Sequence, residues 1–411
     1  MRDNTTSRVV LCADIGTTSL KAAFINIETA AAGRLTAFTR EVYCAGAAAN
    51  DALMWEGAFY RAVKTLLADL LAESPRARVE ALCISGNGPT LVPVKGGGKA
   101  GWDPLPPLHW FSPSFTPETL PAAAKTSFFL PHAAYFRQNN PELYAKTSLF
   151  LSCQEWLSAR LGAEPVTVLP TSYYRPYYYD DNQCAAFSLD SRKFPAFAPL
   201  GSIIGHVSVE AARNSGLSAG IPVIAGGPDF IMALLGSGAI APGLVCDRAG
   251  SSEGINVCVS AKPDAAAARS LRVLPHAIEG LWNVSVVLPE SGSIFDRYRL
   301  ESGQQDVPYE VMLRRMIDSG SSIHPVLQEI VDGVRRALET LREAGYPVSE
   351  MRHSGGQSKS PAWNRLKARA CGCVLLIPEI SDAELAGDAA AVMLALGDAP
   401  NISSACQKIV V

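Results

Sequence analysis

The chain has 411 residues, which is long enough for two domains, because single hydrophobic cores stop growing at about 250–300 residues. An apolar fraction of 48%, a charged fraction of 18% and a net charge of −3 describe an ordinary soluble composition with no surplus of positive charge for a phosphate backbone, so nucleic acid is not an expected partner. The first apolar run is soon interrupted by Asp14 and no run of about 18 apolar residues occurs elsewhere, so the expectation is a cytoplasmic protein with neither signal peptide nor membrane span.

Arg8 to Asp14 and Leu20 to Ile27 read as strands joined through Ile15-Gly-Thr-Thr-Ser19, a hairpin whose tip carries three hydroxyls behind a glycine. Such a tip suits phosphate: Gly16 permits close approach, Thr17, Thr18 and Ser19 donate to oxygens, Lys21 adds charge, and Asp14 can hold a magnesium ion directly or through water. A polar turn without ligand explains the hairpin alone equally well. A helix is expected over Leu53 to Ala72, then strands Ala81 to Ser85 and Thr90 to Val94 around Gly86-Asn-Gly-Pro89. Gly96 to Gly101 matches G-x-G-x-x-G, but a proline-rich loop follows where a dinucleotide site needs a helix. In the loop Pro106 to Pro117, Trp110 and Phe111 stand as aromatics for a pocket wall or for simple packing.

From Ser127 to Leu161 the pattern is helical, and Pro165 to Asp181, with five tyrosines, reads as a β-segment packed on its lobe. Strand Ile221 to Ala225 then enters Gly226-Gly227 and Asp229, which stands about where an N-cap belongs for the apolar helical run Phe230 to Ile240. The helix dipole favours its ionised carboxylate, a ready proton acceptor, although an Asp after two glycines is more often only a cap. Gly250, Ser251 and Ser252 form a small-residue turn before the strand INVCVS, with hydroxyls and N–H groups for an anion. The same residues match G-x-S-x-G, with His276, His324 and His353 downstream, but a hydrolase elbow is followed by a helix.

Val326 to Ala344 is the clearest amphipathic helix, ended by Gly345. The turn Ser354 to Ser360 precedes Pro361, a fitting first residue for a helix carrying Trp363 to Ala370. A glycine pair at such an entry offers a surface for a flat ring and ribose. A strand at Val374 to Ile377 and a helix from Ala383 to Leu396 follow. The ten cysteines form no C-x-x-C pair and read as buried free thiols, Cys371 and Cys373 on one face of a strand.

Together these segments resemble the FGGY carbohydrate kinases, relatives of actin and the heat-shock ATPases. DIGTTSLK (Asp14 to Lys21) is similar to the first phosphate motif, GGPDFIMALLGSG (Gly226 to Gly238) to the segment of the catalytic aspartate, AGSSEG (Ala249 to Gly254) to the second phosphate motif, and GGQSKSPAWNRLKARACG (Gly355 to Gly372) to the adenosine motif. The resemblance implies an α/β fold of two actin-like, ribonuclease H-like lobes, each a mixed β-sheet flanked by helices, with an interlobe cleft. The expected boundaries are 1–237 for a sugar- and phosphate-binding lobe and 238–411 for a nucleotide-binding lobe.

It further implies ATP and Mg2+ as cofactors, Asp229 as the base acting on a sugar hydroxyl, Asp14 at the metal, and Thr17, Thr18, Lys21, Ser251 and Ser252 on phosphates. Gly355, Gly356, Gln357 and Ser360 fall to the nucleoside, Asn87 and Trp110 to the substrate. The family's polar sugar contacts after the strand ending at Gly86 are replaced by Asn87-Gly88-Pro89, its W-x-D-x-R pattern by Trp110 to Ser114, and the Gly-Glu-Arg-x-Pro segment is absent. Phe230 after the base argues against glycerol. The expected function is phosphorylation of a small sugar or polyol such as a ketopentose. The alternative is an inactive nucleotide- or sugar-binding relative. A homodimer is the assembly to be tested, and no membrane partner is expected.

Overall fold

The computed structural model describes residues 7–28, 33–43, 51–97, 101–115, 126–264, 266, 268–318 and 323–410. Parts of the glycine-rich stretch (98–100) and of the aromatic loop (116–117), with Cys44, lie outside them. The chain divides into two compact units, Met1–Met232 with Glu384–Ile409, and Ala233–Ala383 with Val410–Val411.

In the first unit β1 (Arg8–Ile15), β2 (Ser19–Asn26) and β3 (Leu35–Val42) form an antiparallel meander in which Asp14 faces Lys21. Both faces of β1 and β2 are buried, which accounts for their near-continuous apolar sequence. Helix α1 (Ala52–Glu73), capped by the Asp51 side chain on the Leu53 N–H, presses Trp55, Phe59, Val63 and Leu66 into the core. β4 (Arg78–Gly86) pairs parallel with β1. β5 (Leu91–Gly96) and β6 (Trp102–Pro104) begin a three-stranded sheet completed by β7 (Leu149–Ser152), after α2 (Leu130–Asn139) and α3 (Pro141–Lys146). Helix α4 (Cys153–Leu161) follows, then β8 (Thr167–Leu169), α5 (Asp181–Ala186), β9 (Phe197–Pro199), β10 (Ile203–His206), α6 (Val209–Ser215), β11 (Pro222–Ile224) and α7 (Asp229–Gly236). The main sheet runs β10-β11-β4-β1-β2-β3, with β11 parallel to β4.

The second unit repeats this plan. β12 (Val245–Ala249) and β13 (Glu253–Val259) form a hairpin, and β14 (Arg272–Pro275) and β15 (Trp282–Leu288) extend it antiparallel. Helices α8 (Gly292–Glu301), α9 (Tyr309–Asp318) and α10 (Pro325–Glu343) lead to β16 (Glu350–Ser354), parallel to β12. Helix α11 (Pro361–Cys371) then leads to β17 (Val374–Leu376), parallel to β16. The order β14-β15-β13-β12-β16-β17 contains the same core as the first sheet, a three-stranded meander beside two parallel strands. Helices α12 (Ala383–Ala395) and α13 (Ile402–Ile409) end the described chain, lying from Glu384 onward in the first unit.

Four local expectations are corrected. The apolar run 127–161 is broken by β7, whose four residues pair with β5. The tyrosine-rich stretch contributes only β8, then a 3-10 turn at Ser172–Tyr177, after which Tyr178 meets Phe197 edge-on and Tyr179 stacks on it. Cys371 ends α11 and Gly372 leaves it at φ 65°, so Cys371 and Cys373 do not share a strand face. Asp229 is the first helical residue of α7, one place inside the cap, where the Pro228 carbonyl accepts from the Ile231 and Met232 N–H groups.

Candidate active site

In the first unit the parallel strands β1, β4 and β11 end side by side. The Asn87 N–H donates to Ile15 O at 2.8 Å, and Gly86 forms a parallel bridge with Pro228, so the residues following all three strands share one sheet edge. Ligands of open α/β sheets bind at such carboxyl ends. Gly226 is required there for packing, because a Cβ would lie 2.1 Å from Ile84 O, and its closeness serves β4.

Asp229, half-buried, accepts from the Phe230 N–H through Oδ1 at 2.6 Å. Its charge contributes, after burial, to raising the buried Cys153 thiol, as does that of Asp14. Thr17 and Thr18 are exposed at the hairpin tip, and Trp110, itself half exposed, donates from Nε1 to Thr17 Oγ1 at 3.3 Å. Ser19 is buried and accepts from Arg40 Nε at 2.9 Å, while the Gly16 N–H closes the turn on Ser19 O at 3.0 Å. Asn87 is also buried, its Nδ2 donating to Ile15 O at 3.0 Å and its Oδ1 accepting from Thr90 Oγ1 at 2.5 Å. Both ends of the Asn87 amide are therefore engaged by the chain itself.

Behind this edge lies a carboxylate group that the sequence reading overlooked. Asp14 Oδ2 is 3.8 Å from Lys21 Nζ, which is also 3.7 Å from Glu384 on α12. Ser85 Oγ is 3.3 Å from Asp14 Oδ1 and donates to Asp388 Oδ2 at 3.0 Å. Burial and then the charge of Asp14 push the Asp388 carboxyl well above its ordinary range, so the deeper acid favours its proton. Glu384 and Asp388, one turn apart in an otherwise small and apolar helix, were the available signal. Among the described residues no group of three or more His, Cys, Asp or Glu side chains could hold a metal ion. A single buried carboxylate at Asp14 nonetheless suits Mg2+, which keeps several waters and binds through one or two carboxylates plus phosphate oxygens.

In the second unit β12 and β16 also end together. Gly355, at φ 88°, stands where a Cβ would lie 2.5 Å from Ala249 O, so only glycine admits this approach. The Gly250–Ser252 turn is exposed and carries the Ser251 and Ser252 hydroxyls, and the Gly250 N–H closes it on Ser252 O at 2.8 Å. Gly356 is exposed with open space above it, and Ser360 caps α11 by accepting from the Trp363 N–H at 3.3 Å. Gln357 is buried, and among the described residues its Oε1 has no hydrogen-bond partner, an acceptor suited to a nucleoside. The strand β13 after the turn rules out the hydrolase elbow, and His276 and His353 are buried structural histidines.

Below this edge burial pushes Glu253 up, with Asp247 adding to that and Lys367 opposing it. Burial also acts upward on Asp247, but Lys367 and His353 more than offset it and hold its carboxyl below the usual range.

Comparison with known proteins fits this architecture. Residues 118–236 match the N-terminal domain of the FGGY family of carbohydrate kinases, and residues 325–396 match its C-terminal domain. The autoinducer-2 kinase of Salmonella paratyphi A is 21% identical over 340 residues, covering 68% of this chain, and the chain spans 63% of that protein's length. The autoinducer-2 kinase of Klebsiella pneumoniae is 27% identical over 162 residues, 37% of this chain and 30% of that protein. Among solved structures, xylulose kinase from Rhodospirillum rubrum superposes with a TM-score of 0.71 at 16% identity, covering 97% of this chain and 92% of that one. Plasmodium falciparum glycerol kinase with ADP gives 0.74 at 12% identity, covering 98% and 92%. Both lobes are thus of the actin-like kind, and the chain belongs to the FGGY family of carbohydrate kinases.

Proposed function

We propose that the chain transfers the γ-phosphoryl group of ATP to a hydroxyl of a small sugar or polyol, with Asp229 as general base. The carrying observation is the shared edge of β1, β4 and β11, at which Asp229 follows β11 with β4 between it and the end of β1 that carries Asp14. In this reading Asp229 takes the proton of the attacking hydroxyl as its oxygen bonds to phosphorus and ADP departs. Thr17, Thr18, Lys21, Ser251 and Ser252 are the phosphate contacts in this reading, and Gly355, Gly356 and Gln357 those of the nucleoside. Mg2+, held through Asp14, would neutralise phosphate charge. Phosphoryl transfer asks mainly for positioning and charge stabilisation, which such a set supplies.

A ketopentose such as xylulose is the proposed acceptor. The half-exposed Trp110 is its contact, and the engaged amide of Asn87 acts through the hairpin. The names of the relatives, autoinducer-2 and xylulose kinases, support a small polyhydroxylated carbonyl compound. A coupled ADP-release screen over ketoses, aldoses, polyols and aldonates tests the reading. With the acceptor found, Asp229→Asn should lower turnover by about 10²–10⁴ while MgATP affinity stays unchanged. Near wild-type turnover in that variant would remove Asp229 from the mechanism. MgATP binding without ADP release on any acceptor would select a non-catalytic binding relative instead, the reading favoured by the engaged Asn87.

A further inference from the structure

Beneath the Gly250–Ser252 turn lies a buried charged cluster that the proposed reaction does not use. Lys367 on α11 has no exposed surface, and its Nζ is 2.6 Å from both Asp247 Oδ2 on β12 and Glu253 Oε1 on β13. His353 Nδ1 on β16 meets the same Asp247 oxygen at 2.8 Å. Glu253 Oε2 accepts from Ser291 Oγ at 2.6 Å, and Ser291 Oγ accepts from Gln357 Nε2 at 2.8 Å. Gln357 Nε2 also reaches Gly250 O at 3.2 Å. From the head of α8, the Gly292 N–H donates to Gly250 O at 3.0 Å, and the N–H groups of Ser291 and Ser293 donate to Ser251 O at 2.9 and 3.1 Å.

One hydrogen-bonded chain therefore runs from Lys367 through Glu253 and Ser291 to Gln357 and the turn. It joins the segment proposed to face the nucleoside to the segment proposed to face the phosphates. Stability does not account for it, since well-packed apolar residues serve about as well as a buried ion cluster. What it supplies is fixed geometry, because each member's position is set by the next.

We propose that Lys367 and Ser291 are positioning residues that lock the Gly250–Ser252 turn to the Gly355–Ser360 segment, so that base and phosphates of a nucleotide are gripped as one rigid piece. This rests on the nucleotide reading above. The test is titration calorimetry of the full chain with MgADP and with adenosine. Ser291→Ala should weaken MgADP about tenfold, the worth of one hydrogen bond to a charged group, here the Glu253 carboxylate, and adenosine less than about twofold. Lys367→Met should do the same, and the double variant should lose no more than Lys367→Met, since both cut one chain.

Lys367→Met leaves two buried carboxylates without their cation and can fail to fold. Ser291→Ala removes a single oxygen and carries the test alone. Unchanged MgADP affinity in Ser291→Ala, or equal losses for MgADP and adenosine, overturns the lock. A wild-type chain that binds no MgADP overturns the nucleotide reading itself.

Discussion

The ring of His276 has both nitrogens engaged in a way that only the neutral form permits. Nδ1 accepts from the Ile278 N–H at 3.0 Å, so the ring's single proton sits on Nε2 and is donated to Ala239 O at 2.9 Å. A second proton would have to point at another donor, and burial lowers the pKa from 6.5 to about 4. A depressed histidine stabilises the fold above its unfolded pKa, and this contribution is lost as pH falls through the folded value. The difference in unfolding free energy between wild type and His276→Gln should therefore change by about 1.4 kcal/mol per pH unit between those two values, the wild type losing stability as pH falls. Denaturation curves at several pH values check this, and parallel wild-type and variant profiles would show that His276 does not titrate on unfolding. Residues of this kind were illegible in the sequence because their burial and one of their partners, here Ala239, come from far along the chain. Asp388 and Lys367 were missed for the same reason, whereas Thr17, Ser251 and Gly356 stood out because exposed tips carry their chemistry locally.

Elements with strong periodicity were legible. Helix α10 buries Leu327, Ile330, Val331, Val334 and Leu341 as its spacing predicts, and β1 and β2 pair antiparallel as the hairpin reading expects. β7 was lost because four apolar residues beside helical runs carry no period of their own. Close packing of helices was equally hidden. A Cβ on Gly387 in α12 would lie 2.1 Å from Met232 O in α7. Helix propensity alone gives Gly387→Ala a gain of about 1 kcal/mol, whereas the clash gives a loss of about 1–3 kcal/mol. Chemical denaturation distinguishes the two by sign.

At the scale of the molecule, the first unit is discontinuous and the second nearly continuous. Arg8 on β1 forks onto Asp398 with two bonds of 3.0 Å and also reaches Glu80 at 3.1 Å. Asp388 binds Ser85 and Cys83 on β4. A chain ending at residue 382 should leave β1 and β4 without these partners. Hydrogen exchange should then show lost protection across β1–β4, with β12–β17 still protected, and retained protection in both would mean that α12 and α13 are dispensable. Repeated topology was legible only as a resemblance, because the equivalent strands share a pattern of burial and little sequence.

The same discontinuity sets an order of events during synthesis. Domains generally fold as they leave the ribosome, N-terminal first, at about 5–20 residues per second. Here the earliest strand waits for Asp398, made 390 positions later. The second unit's segment 233–383 is made before residues 384–409 of the first unit. Until those residues arrive the surfaces meant for α12 and α13 stay open, and transiently open apolar surface of this kind is where a chain aggregates during folding.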